Sequence, residues 1–271
     1  MNYIDKGESV YMAKCALCLQ ESQLAKSHII PKFAYEPVQD GKKRSLPLSP
    51  NSDKLTFVQS GIKTELLCHQ CEEILSNYEK ELSTFLKEVQ NGSDRIISFT
   101  DGIALASKFN FDKIHKAILS IIWRLSVIPS SNNKNSFFER YYLGKKNQEI
   151  IRNVILKDST LPFYSFPITA DKITTNGEKR SDLILCFPYG KSLLGNVYIQ
   201  SICLYGVIFN IYMKEDITPF FGKDKEILYL GGSFNPIQEQ ELSSVKIDIN
   251  LLEKIRSAEV VKKMAILKKN Q

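Results

Sequence analysis

The sequence predicts an α+β fold: a small metal-stapled module first, then a helical segment, then a mainly antiparallel sheet with a C-terminal helix. Three observations predict it. Two CxxC pairs, Cys15/Cys18 and Cys68/Cys71, stand 49 residues apart in the first third of the chain. After Cys71, and again after Phe111, apolar residues recur at three- and four-residue steps, the period of an amphipathic helix. From Leu161 the texture changes to short runs of β-branched and aromatic residues separated by turn dipeptides, as in strands.

The cysteines carry the strongest signal. A CxxC pair sits on a tight turn that aims both sulfurs inward, and two pairs can converge on one tetrahedral zinc ion. The opening MNYIDKGESVYMAKC has early acidic residues and no apolar core of signal-peptide length. The expectation is a cytoplasmic protein, in which paired thiols bind metal rather than form disulfides. Zinc binding contributes on the order of 10 kcal/mol in small zinc peptides, enough to hold a module whose own core is marginal. The plainer alternative is buried thiols. A redox role is weaker, because no thioredoxin-like βαβ pattern surrounds either pair.

Between the pairs lie SHIIPKF, a Pro-, Ser- and Lys-rich loop from Gly41 to Asp53, and a strand-like run from Lys54 to Val58. Following Cys71, the stripe Leu75, Tyr78, Leu82, Phe85, Leu86 and Val89 predicts a helix that Asn91-Gly92 ends. Residues 1–92 are thus read as one module and residues 93–271 as an α+β domain of open role: substrate, sensor or partner binding. Ser93 to Ala106 reads as a connector with one strand, Arg95 to Phe99. A core helix is predicted from Phe111 to Val127 on Ile114, Ile118, Ile121, Ile122 and Leu125, ended by Pro129. A polar loop over 130–135 leads to a third helix, Phe137 to Leu156, with a break at Gly144.

Strands are predicted at Phe163–Ile168, Leu183–Phe187, Asn196–Ile202 and Leu204–Tyr212, with turns at Asn176-Gly177 and Tyr189-Gly190. A basic amphipathic helix follows from Ile249 to Leu267. Cys186 and Cys203 read as small buried hydrophobes. No apolar run reaches the roughly 20 residues a membrane helix needs; the longest, Val197 to Met213, is broken by Gln200, Ser201 and Asn210.

Cys15-x2-Cys18, Ser27-His28-Ile29-Ile30-Pro31 and Leu67-Cys68-x2-Cys71-Glu72 together resemble the HNH endonucleases of the His-Me finger, or ββα-metal, class. The resemblance covers about residues 12–90. It implies a ββα, treble-clef-like module with a structural zinc on Cys15, Cys18, Cys68 and Cys71. It also implies metal-dependent hydrolysis of DNA, with catalytic magnesium or manganese. By position, His28 matches the general base and Glu72 the metal ligand. Glu79, seven residues on and nearly on the same helical face, is a second ligand or a residue that orients one. Further on, Ile118-Leu119-Ser120-Ile121-Ile122-Trp123-Arg124, Tyr142-Leu143-Gly144 and Ile150-Ile151-Arg152 are similar to segments of uncharacterised bacterial and phage-related proteins carrying such an N-terminus. Antiviral defence, with a protein partner in a defence complex, is the setting this analogy suggests.

Three positions depart from the family pattern. Ser27 stands where an Asp precedes the catalytic His, Lys63 lies near the place of the central Asn, and Glu72 replaces an Asn or His. They keep open a second reading, a catalytically decayed zinc-stabilised binding or scaffold protein. Each candidate also has an ordinary role: His28 as a hairpin hydrogen-bond donor, Glu72 as a carboxylate favoured at a helix N-terminus. His69 is expected to face solvent or support the metal shell, and His115 and Trp123 to serve the core. Arg124 is expected to pair with a core acid or a phosphate.

The net charge of +6 is too mild to define a partner. Within residues 1–85, ten Lys and Arg face eleven Asp and Glu, so phosphate affinity is not evident in the module. Lys42, Lys43 and Arg44, or Lys254, Arg256, Lys262, Lys263, Lys268 and Lys269 of the tail, are the candidates to supply it.

Overall fold

The computed structural model describes residues 12–39, 61, 63–98, 103–128, 143–156, 166–176, 178–179, 189–193, 197–213 and 236–241. The Lys42–Arg44 cluster, the strand at Lys54–Val58, the loop at 130–135, the strand at Leu183–Phe187, Cys186 and the tail helix with its basic residues lie outside them.

Among the described residues the chain mixes helices with largely antiparallel sheet. A small ribbon comes first, β1 (Ala13–Lys14) paired with β2 (Glu21–Ser22). Strand β3 (Leu24–His28) is followed by a 3-10 helix over Lys32–Val38 and pairs antiparallel with β4 (Lys63–Cys68). The register shifts between Ala25 and Lys26, an irregularity of the kind that re-aims neighbouring side chains. Beyond it, Ser27 opposes Thr64 with both buried, while half-buried His28 opposes exposed Lys63.

Helix α1 (His69–Asn91) begins at once after β4. Leu75, Leu82, Phe85, Leu86 and Val89 bury one face, as their spacing predicts, and Gly92 ends the helix at φ 80. Two short strands follow, β5 (Ile96–Ser98) and β6 (Ile103–Ala106); the connector expected here therefore holds two strands rather than one. Helix α2 (Phe111–Val127) has the predicted bounds, with Asn110 capping it through a side-chain bond from the Lys113 N–H. Helix α3 spans Lys145–Leu156 directly after Gly144, which has φ 78, while Phe137–Tyr142, the first part of the predicted third helix, lies outside the described residues.

The larger sheet then grows from β7 (Ile168–Thr175), β8 (Glu178–Lys179), β9 (Tyr189–Leu193), β10 (Val197–Leu204), β11 (Val207–Tyr212) and β12 (Pro236–Glu241). Its order is β5-β6-β12-β7-β11-β10-β9, with β8 on β7. Every pairing is antiparallel except β12 with β7. Two expectations are corrected here. Of the strand predicted at Phe163–Ile168 only residues 166–168 are described, and there Phe166 takes a left-handed φ of 61 that no strand accommodates, so β7 begins at Ile168. Tyr189-Gly190, read as a turn, lies within β9, where both residues pair with β10.

One face of this sheet, through Ala170, Ile202, Phe209 and Ile237, joins the apolar core that includes α1 and α2. Phe85 of α1 meets Phe109 edge-on at 5.2 Å between ring centroids, an arrangement that adds about 0.5–1.5 kcal/mol beyond area burial. The helix pair thus fixes how β3 and β4 stand against the rest of the molecule. No helix among the described residues is long and apolar enough to cross a membrane.

Candidate functional site

Four sulfurs meet where the two hairpins and α1 converge. Cys15 follows β1, Cys18 lies in the turn before β2, Cys68 ends β4 and Cys71 sits in the first turn of α1. Their Sγ atoms all lie within 4.8 Å of one another, with Cys18 and Cys68 at 3.9 Å. Tetrahedral coordination with metal–sulfur bonds near 2.3 Å places sulfurs about 3.8 Å apart, so this cluster can hold a metal ion with little movement.

The backbone prepares the pocket for negative charge. The Cys68 N–H donates to Cys15 Sγ at 3.3 Å, and the turn is closed by the Leu19 N–H on the Cys15 carbonyl at 2.9 Å. Leu19 takes a left-handed φ of 66 to complete that turn. Burial pushes the Cys15 thiol up, but backbone N–H groups of Cys68, Cys18 and Leu17 outweigh it and bring it down to about 7. Burial and the neighbouring sulfurs push Cys71 up. Four thiols this close cannot all ionise unless a cation joins them.

His28 ends β3. Its imidazole is half-buried, and it is held below the ordinary histidine range first by burial and then by the positive charge of Lys63. Glu72 opposes the shift, while Arg124 and Lys32 add to it. The ring is therefore neutral at neutral pH, the form that can accept a proton.

Glu72 lies directly after the last sulfur ligand, in the first turn of α1. Its Oε1 is buried and has no hydrogen-bond partner among the described residues. A capped helix end does not explain that atom: an exposed carboxylate near the helix N-terminus would satisfy the dipole without desolvation. A buried carboxylate oxygen without a donor is the arrangement a cation relieves.

Glu79 stands two turns further along the same helix. Burial raises its carboxyl, which Arg124 counters and Glu72 reinforces. Arg124 Nη2 donates to Glu79 Oε1 at 2.5 Å, so of the two pairings expected for Arg124 the structure holds the one with an acid. The same guanidinium donates through Nη1 to the His28 carbonyl at 2.6 Å.

The structure thus gathers Cys15, Cys18, Cys68 and Cys71 at one point, and places Glu72 and Arg124 within electrostatic reach of both His28 and Glu79. His69 is exposed. His115 is buried with Nε2 3.0 Å from the Phe166 carbonyl, and Trp123 is buried in the core. The link from Arg124 to the His28 backbone went unread in the sequence. Its only local signal is a cation inside the apolar run of α2, Ile118 to Leu125.

No protein-family profile, curated protein or solved structure matches this chain.

Proposed function

We propose that this chain is a metal-dependent endonuclease of the HNH type that hydrolyses phosphodiester bonds of DNA. The observation that supports it best is the buried Glu72 oxygen, unpartnered among the described residues, within electrostatic reach of a half-buried imidazole held neutral. The motif resemblance and the β3–β4–α1 order around the thiols agree with this reading.

Zinc is the ion a four-thiolate set fits, and with all four positions filled it is structural. It pins the hairpin to the start of α1, and so sets where His28 and Glu72 stand. Magnesium or manganese fits the hard oxygen of Glu72; when bound, such an ion neutralises charge developing on the phosphoryl oxygens. His28 accepts the proton of the water whose oxygen attacks phosphorus, and the P–O bond to the leaving oxygen then breaks. Lys63, opposite His28 in register, offers a phosphate contact on the same side of the hairpin. A cytoplasmic setting in antiviral defence, with a protein partner, belongs to this proposal by analogy alone.

The test is cleavage of plasmid DNA with magnesium or manganese by wild type and His28→Ala. Loss of about 10² or more in rate is expected for removing a general base. Equal cleavage by both removes His28 from the mechanism.

One observation favours a second reading, a zinc-stabilised scaffold whose hydrolytic site has decayed. Ser27, at the position of the family's acidic residue, is fully buried and carries no charge for a metal. Calorimetry separates the two, since a decayed site binds no divalent ion beyond zinc.

A further inference from the structure

Arg124 lies in the last turn of α2 and is about 1% exposed. Its helix neighbours Ile121, Ile122, Trp123 and Leu125 are buried and apolar. A guanidinium in such a place is costly to desolvate, and an apolar side chain of similar volume is often as stable or more so. Stability alone therefore does not account for it. Its contacts do. Nε and Nη2 reach Ser120 of its own helix at 3.3 and 3.4 Å, which fixes the fork. Nη2 then meets Glu79 on α1 at 2.5 Å, and Nη1 meets the His28 carbonyl on β3 at 2.6 Å.

We propose that Arg124 is a positioning residue: it locks the strand end that carries His28 to the acidic face of α1, so that α2 completes the site. The proposal rests on the nuclease reading above. It makes the chain beyond residue 92 part of the hydrolytic machinery rather than an appendage to it. Arginine suits the task because a planar fork satisfies two acceptors in fixed directions, whereas lysine presents a single flexible point charge. A side chain with no fork leaves the His28 strand end free to drift, and it strands the Glu79 carboxylate.

The experiment uses the full-length, zinc-loaded chain as wild type, Arg124→Lys, Arg124→Met and Glu79→Gln. Bound zinc and far-UV circular dichroism establish that each is folded. For Arg124→Met, kcat on plasmid DNA is expected to fall about tenfold to 10²-fold, the cost of a displacement near 1 Å. KM should stay within about twofold, because no uniform substrate contact is removed. Arg124→Lys should recover part of the loss, and Glu79→Gln should show a smaller one.

Unchanged kcat in folded Arg124→Met overturns the proposal. So does a raised KM with kcat intact, which would place Arg124 on the substrate. If Arg124→Met loses zinc or helix, Arg124→Lys and Glu79→Gln decide instead, and unchanged kcat in both overturns it. If wild type leaves DNA uncut, the nuclease reading has failed, and imidazole NMR takes over. The chain has three histidines, so His28→Gln assigns the ring signals. Movement of the His28 signals in Arg124→Lys and Glu79→Gln, with those of His69 unmoved, supports the positioning role. Unmoved His28 signals overturn it.

Discussion

The sulfur atoms of Cys18 and Cys68, fifty residues apart in the chain, lie 3.9 Å from one another. That closure joins a turn in the β1–β2 ribbon to the junction of β4 with α1. Three of the four thiols are buried there, and sulfurs this close can all carry negative charge only with a cation among them. The protein should therefore carry one zinc per chain by elemental mass spectrometry. Cys68→Ser should lose that zinc and melt at markedly lower temperature, since structural zinc sites contribute on the order of 10 kcal/mol. Full stability without zinc contradicts the assignment.

With His28 as the proposed base, its setting sets the acid limb expected of DNA cleavage. Burial first, then Lys63, holds its ring below the ordinary value. The neutral ring is the proton acceptor, so a lowered pKa keeps it competent to lower pH. The kcat profile should accordingly lose activity only below about pH 6.5, the unperturbed histidine value. Lys63→Ala removes a lowering charge and should move that limb upward. A wild-type limb at or above 6.5 argues against His28 as the base.

Gly92 ends α1 at φ 80 and ψ 150, a region essentially reserved for glycine. A Cβ there would meet nothing within 4 Å, so any cost is backbone strain alone. Gly92→Ala should destabilise by about 1–3 kcal/mol in urea unfolding, with cleavage by the folded fraction unchanged. A neutral result would mean the helix end relaxes freely.

Phe85 links the site helix to the remainder of the core through Phe109. Phe85→Ala should cost about 3–5 kcal/mol, the usual range for a buried aromatic residue. Because α1 carries Cys71, Glu72 and Glu79, the same variant should also weaken zinc retention on heating, which a colorimetric chelator can follow.

Much of this is legible in the sequence. The bounds of α2 follow from an apolar stripe strong enough to outweigh local preferences, and those of α1 from its stripe and Gly92. The cysteine set was readable because its chemistry is encoded in short spacings. Strand limits were less legible. Left-handed Phe166 gives no composition signal, and Tyr189-Gly190 looks like a turn until its pairing with β10 is known. Strand β12 is a polar run whose place beside β7 is decided by tertiary pairing. Arg124 shows where local reading stops: its partners Glu79 and His28 are 45 and 96 residues away. A buried cation announces that partners exist, but only the fold says which.

The most direct test of the central claim is a crystal of the zinc-loaded protein soaked in manganese, with the anomalous signal of each metal measured at its own absorption edge. Zinc is expected among the four sulfurs and manganese at the Glu72 carboxylate, on the side facing the His28 ring. Manganese absent from Glu72, or present only as replacement at the thiols, would contradict a metal-dependent hydrolytic site.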